Sequence, residues 1–321
     1  MSEDAQDGLW PHFVPLWEDL RAITPKLLLA GGYALFLKQR WLTAQARTIT
    51  TSSRATLVDD MGIAFTAVTV PTLIDMTRWS DVNPRVTKDF DFIVSLELIA
   101  SEGDQKMFDA VLAKHGFEVV TRNARWQFEK KVTADQSVLL DFHAPSPTEP
   151  RADLRVEKRR VKPGRSLGST GIHGRENPEA NATELHPFTF TYRSLELLVP
   201  HPLAFTIMKL MAMNDRWHAA TAATSPEERR AEGSSARKHA EDVMRIIAMT
   251  TRSEMDLTET MLAALGRTPS YAAAAQVFAE SFRRDDGWAT IAVARKWRDD
   301  DFAQMRGILN QWFTPARATS S

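Results

Sequence analysis

Residues 89–94 read Asp-Phe-Asp-Phe-Ile-Val. A pattern of period two is sorted into faces only by an extended strand, where side chains two apart share a side and stand roughly 6.5–7 Å from each other. Phe90 and Phe92 then face a core, and Asp89 and Asp91 lie side by side on the opposite face. Two carboxylates so placed repel unless a cation sits between them. Hard oxygen ligands of this kind suit Mg2+ or Mn2+, shared with substrate phosphates. This short string therefore demands a sheet with one apolar face, and it demands a reason for acids on the other.

The surrounding residues supply more of that sheet. Trp10 to Ile23 has the spacing of an amphipathic helix, and Lys26 to Ala30 is a short buried strand that ends at Gly31-Gly32. Tyr33 to Leu42 reads as a helix, Thr48 to Thr56 as a polar loop, and Ile63 to Ile74 as one or two strands. Asp104 to His115 is a helix stopped by Gly116, and Phe117–Val120, Arg125–Val132 and Val138–His143 form a meander. Phe188 to Tyr192 alternates as a further strand. From Pro202 the period changes to that of helices: 203–217, 226–250, 254–265, 271–282 and 300–313. With 321 residues and 43% apolar content the chain can bury a real core in two domains. The expected class is α+β: a mixed sheet with flanking helices over residues 1–195, followed by a helical bundle over residues 196–321.

Composition removes several chemistries. There is no cysteine, so disulfides, thiolate nucleophiles, Fe–S clusters and Cys-type zinc sites are excluded. A net charge of −1 excludes a uniformly basic nucleic-acid coat, though not a local patch. The apolar stretch 197–213 is broken by Pro200, His201, Pro202 and Lys209, so no membrane span is expected. The acidic start is unlike a signal peptide, and a cytoplasmic location is the expectation.

The chemistry-bearing residues fall in a telling order. Gly31-Gly32 joins a strand to a helix and offers bare backbone N–H groups to a phosphate chain. Arg85-x-Thr87-x-Asp89-x-Asp91 enters a strand, and Asp141 lies in a later one. A third carboxylate there would complete a two-metal site, whose ions sit about 3.5–4 Å apart and clamp the attacking and leaving oxygens of an in-line displacement. His143 alternates onto the face of Asp141 and reads as a bystander, while the second Asp-x-Asp, Asp299 and Asp301, reads as helix N-terminal acids.

This combination resembles the nucleotidyltransferase superfamily, and within it the AbiEii-type toxins of type IV toxin–antitoxin systems. That family pairs a GG-x-x-L strand–helix turn with R-x-[ST]-x-D-[IL]-D-[FL], matched here by Gly31, Gly32, Arg85, Thr87, Asp89 and Asp91. Its third motif, a strand Asp, corresponds to Asp141. Its helical motifs correspond to Lys209 with Arg216, and to Lys238 with Asp242. The likeness covers roughly residues 25–250. It implies a nucleotidyltransferase-like fold and Mg2+ (or Mn2+) held by Asp89, Asp91 and Asp141. It also implies an NTP bound through Gly31, Gly32, Arg85, Thr87, Lys209, Lys238 and Asp242. The acceptor hydroxyl implied is that of an RNA, such as a tRNA end, or of a protein, and a cognate antitoxin is implied as partner. Read on their own, Lys238 and Asp242 are also compatible with a surface ion pair, and Lys209 with a snorkelling lysine.

The stretch between Gly32 and Asp89 is longer than the family pattern, so an insertion is expected at about 45–82. Residues 151–175 carry eight Arg and Lys against two acids, with four glycines in the later part, and read as a mobile basic loop reaching to about 186. Such a loop could track an RNA backbone. Arg125-Trp126 and Trp79 place aromatics beside or near basic residues, where base stacking competes with ordinary packing. Two other classes stay open: a catalytically silent nucleotide- or partner-binding domain, and a small-molecule (antibiotic) nucleotidyltransferase.

Overall fold

The computed structural model of the chain describes residues 7–54, 72–74, 87–120, 125–164 and 171–314. Arg85, Trp79 and most of the expected insertion and of the 63–74 strands lie outside those residues. The fold is mixed α+β with a mixed sheet and helices. It divides into two compact units, Met1–Ala34 with Arg85–Pro200, and Leu35–Pro84 with His201–Ser321. The change of periodicity predicts a boundary after residue 195. The observed boundary falls later because Leu195–Val199 is a strand paired with Phe188–Tyr192, which holds it in the first unit.

The first unit holds α1 (Trp10–Ile23), β1 (Leu28–Ala30), the start of α2 (Gly31–Arg54) and β2 (Asp89–Ile93). Then come α3 (Leu96–Ala100), α4 (Glu102–Lys114), β3 (Glu118–Val119), β4 (Gln127–Lys131) and β5 (Ser137–Ala144). The unit ends with β6 (Leu154–Val156), β7 (Arg160–Pro163), β8 (Gly174–Glu176) and the β9 (Phe188–Tyr192) and β10 (Leu195–Val199) ribbon. The main sheet runs β1-β2-β5-β8-β7-β6, with β4 also on β5 and β3 on β4. β2 and β5 are parallel; β1 is antiparallel to β2.

The Phe face of β2 fills as the alternation requires. Phe90 and Phe92 are fully buried, with Phe13 of α1 5.4 Å from Phe90 and Phe142 of β5 6.0 Å from Phe92. Phe108 of α4 and Phe128 of β4 each meet Phe142 edge-on, with ring centroids 5.7 Å apart. Burying one such ring contributes about 2–3 kcal/mol. Ser95 and Ser101 cap α3 and α4 by accepting from the N–H groups of Leu98 and Asp104, which fixes these helices after β2.

Two local readings are corrected. Residues 48–54 continue α2 instead of forming a loop, because Ser and Thr only mildly disfavour a helix and each added residue extends an existing ladder. The basic segment is not one loop: its described residues include β6, β7 and β8, a three-stranded extension of the sheet. Leu154 and Val161 bury on one side of that extension, which glycine and charge content had masked.

The second unit contains α2 beyond Ala34 and α5 (Pro202–Ala222), α6 (Pro226–Ala248), α7 (Arg252–Asp256), α8 (Thr258–Leu265), α9 (Pro269–Ser281), α10 (Trp288–Ala294) and α11 (Asp299–Phe313). Asp299 and Asp301 sit in the first turn of α11, as read from the sequence. Among the described residues, no helix is long and apolar enough to cross a membrane.

Candidate metal centre

The centre is built by register. Parallel pairing of β2 and β5 sets Asp91 opposite Asp141 and Ile93 opposite His143. Antiparallel pairing of β1 and β2 sets Ala30 opposite Asp91. Paired residues share a face, so Asp91, Asp141 and His143 converge on the side of the sheet away from the Phe core. One ligand atom from each lies within 4.8 Å of the other two.

Gly31, the first residue of α2, brings backbone against this group. Its φ is +67°, in the region that only glycine occupies freely, and a Cβ there would overlap the Asp91 carboxylate. Tyr33, in the first turn of α2, donates from its hydroxyl to the Asp7 carboxylate at 3.1 and 3.2 Å, which anchors the helix start. The expected strand, Gly-Gly turn and helix are thus adjacent to the acidic strand.

The polar atoms of the group are incompletely satisfied by protein. Asp141 Oδ1 is buried with no hydrogen-bond partner, and so is His143 Nδ1. His143 Nε2 is 3.3 Å from Asp91 Oδ1. Burial, with the Asp91 charge second, pushes the Asp141 carboxyl up to about 6; a Gln127 hydrogen bond and the neighbouring His143 oppose this. A carboxylate oxygen left without a donor in a half-buried acidic pair is a group that wants a cation. Two carboxylates and an imidazole form a donor set that accepts Mg2+ or Mn2+, and the residues fit such an ion.

Asp89 shares the face and adds to the charge felt by Asp141, but it lies opposite Leu139, one pair away. It accepts from the Thr87 hydroxyl and from the Lys88 N–H at 3.2 Å. His143 thus stands in the group where sequence reasoning set Asp89. Its alternation with Asp141 was visible in the sequence; its nearness to Asp91 depends on register.

The helical candidates belong to the second unit. Lys209 of α5 is buried and its Nζ is 2.9 Å from Asp242 Oδ2 of α6; Arg245 is 3.6 Å from the other oxygen. Lys238 is exposed on α6, and Arg216 pairs with Glu232 at 3.0 Å. Asp242 thus meets Lys209 and Arg245 in an ion cluster with its own carboxylate fully buried.

No family model, curated protein or solved structure matched this chain in the comparisons made.

Proposed function

We propose that the chain is a metal-dependent nucleotidyltransferase, with Asp91, Asp141 and His143 holding Mg2+ or Mn2+ and Asp89 beside them. The observation that carries this reading is the paired register of Asp91 and Asp141 against Gly31, with a buried Asp141 oxygen lacking a partner. A bound divalent ion would neutralise the carboxylates and draw charge from phosphate oxygens. The side chains have distinct tasks. Gly31 and Gly32 open α2 and offer a cradle of N–H groups to the phosphates of an NTP. The Asp141 carboxylate would take the proton of the acceptor hydroxyl as that oxygen bonds to the α-phosphorus and the bond to pyrophosphate breaks. Most of the rate gain then comes from positioning and charge neutralisation. The sequence likeness adds an RNA (tRNA end) or protein acceptor and a toxin role with a cognate antitoxin to this proposal.

The test couples binding to transfer. Titration calorimetry with Mn2+ should show a site that Asp91→Asn and Asp141→Asn each weaken at least tenfold. Incubation with Mg2+, each α-labelled NTP and total RNA or lysate should transfer label, and the same variants should abolish transfer. Label transfer that survives both substitutions overturns the mechanism, and absence of divalent binding overturns the centre.

A further inference from the structure

The extension of the sheet carries a charge pattern that the proposed chemistry does not use. β8 runs parallel to β5 with Arg175 opposite His143. β7 is antiparallel to β8 with Arg160 opposite Arg175, and β6 is antiparallel to β7 with Arg155 opposite Lys162. Arg160 and Lys162 are two apart in β7 and so share a face. The register therefore puts Arg175, Arg160, Lys162 and Arg155 on the face that bears His143, Asp141 and Asp91, with Glu157 opposite Arg160 and ion-paired to Lys162, so that Arg155 and Arg175 are its exposed cations. The opposite face of the extension is apolar: Leu154 and Val161 are buried, and Gly174 packs against Ile99 of α3.

Three further observations bear on this strip. Arg155 and Arg175 are exposed, and no ion pair is seen for either among the described residues. Arg160 Nε is buried with no hydrogen-bond partner, a charged donor waiting for an acceptor. The tip of the β6–β7 hairpin is Lys158-Arg159, at φ +52° and +59°. A hairpin turn with two left-handed residues is normally built from Asn and Gly. Here two long exposed cations occupy it at a conformational cost, and strain of this kind is retained where the side chains have a task.

We infer that this face of β6, β7 and β8 binds the phosphate backbone of single-stranded RNA and leads it toward Asp91, Asp141 and His143. Strands are about 4.8 Å apart, so the strip from β5 to β6 spans on the order of 14 Å. That length exceeds a single triphosphate and suits several successive phosphates. Arg175 also lies 5.5 Å over the ring of half-buried Trp126, an aromatic–arginine pair of the kind that accompanies bases along such a track. The phosphate track stands on register and charge; its delivery of RNA to Asp91, Asp141 and His143 rests on the proposed function.

The test uses the full chain, a fluorescent uridine 20-mer, EDTA and no nucleotide, so that binding is read apart from catalysis. Anisotropy at several salt concentrations should show binding whose log–log salt slope reflects several phosphates, at roughly −0.7 per contact. The double variant Arg155→Glu/Arg175→Glu should weaken binding at least tenfold and flatten the slope. Arg155→Gln alone, a milder exposed change, should weaken it several-fold with unchanged melting. Arg252→Glu, an exposed cation on α7 in the second unit, should leave it unchanged. Equal affinity and slope in the double variant and the wild type would overturn the inference. So would failure of the wild type to bind RNA, including the case where an acidic polypeptide such as polyglutamate binds in its stead. If Asp141→Asn abolishes transfer while RNA binding persists, both readings stand; RNA binding without any transfer leaves only this one.

Discussion

At Gly31 two constraints meet on one atom. The backbone takes φ +67°, and the missing Cβ leaves room for the Asp91 carboxylate. Gly31→Ala is expected to cost at least about 1–2 kcal/mol from the backbone conformation alone, and to displace Asp91. A lowered melting temperature together with lost Mn2+ binding would bear this out; a variant that melts and binds like the wild type would refute the close approach. Asp141 gives a second prediction, with a definite sign. Its folded carboxyl is raised from 3.8 to about 6, so the folded chain holds the proton more tightly than the unfolded one. The resulting stabilisation is complete below pH 3.8 and is lost as pH rises through about 6. With a chelator present, Asp141→Asn should therefore raise stability at pH 7.5 by up to about 3 kcal/mol relative to its effect at pH 4. Melting curves at the two pH values read this difference, and a pH-independent effect would contradict it.

Among the elements, β2 and β5 show what a sequence can and cannot reveal. Asp-Phe-Asp-Phe announces its own strand and faces, because the period of two is local. That Asp91 should stand opposite Asp141, and Ile93 opposite His143, is set by pairing across some fifty residues, and no local pattern encodes it. The same reason hid β6, β7 and β8. Each is three or four residues long, and each becomes a strand through its neighbours. α1, by contrast, was legible to the residue from its apolar spacing. In the second unit, α7 begins with a capping box on Thr251 and Glu254, and Glu254 also receives the buried Lys38 of α2 at 2.6 and 2.8 Å. Glu254→Ala would leave a buried ammonium without this partner and is expected to cost about 3–5 kcal/mol. Lys38→Met/Glu254→Met should recover much of that loss, because removing both charges removes the desolvation penalty as well. Chemical denaturation of the single and double variants measures the recovery. A double variant as unstable as the single one would show that the pair is held for another reason.

For the molecule as a whole, the change from strand to helical periodicity near Pro202 located the second unit's main body but not its first part. α2 starts beside the acidic centre and, from Leu35 on, belongs with residues beyond His201. Its apolar spacing states that it is buried, not against which partner. The chain's net charge of −1 is likewise an average: one sheet face carries both the acidic centre and the cationic strip. The discontinuous first unit has a consequence for truncation. A fragment ending at Pro200 keeps every residue of the sheet but also keeps Leu35, Phe36, Leu37 and Leu42 of α2, all buried in the full chain, together with Lys38. Exposing each apolar side chain costs about 1.5–3 kcal/mol, and the sum is comparable to the 5–15 kcal/mol that typically separates folded from unfolded chains. Residues 1–200 alone are therefore expected to bind a hydrophobic dye, to self-associate and to unfold over a broad range. A monomeric fragment with a single sharp transition would mean that α2 changes partners when the helical unit is removed.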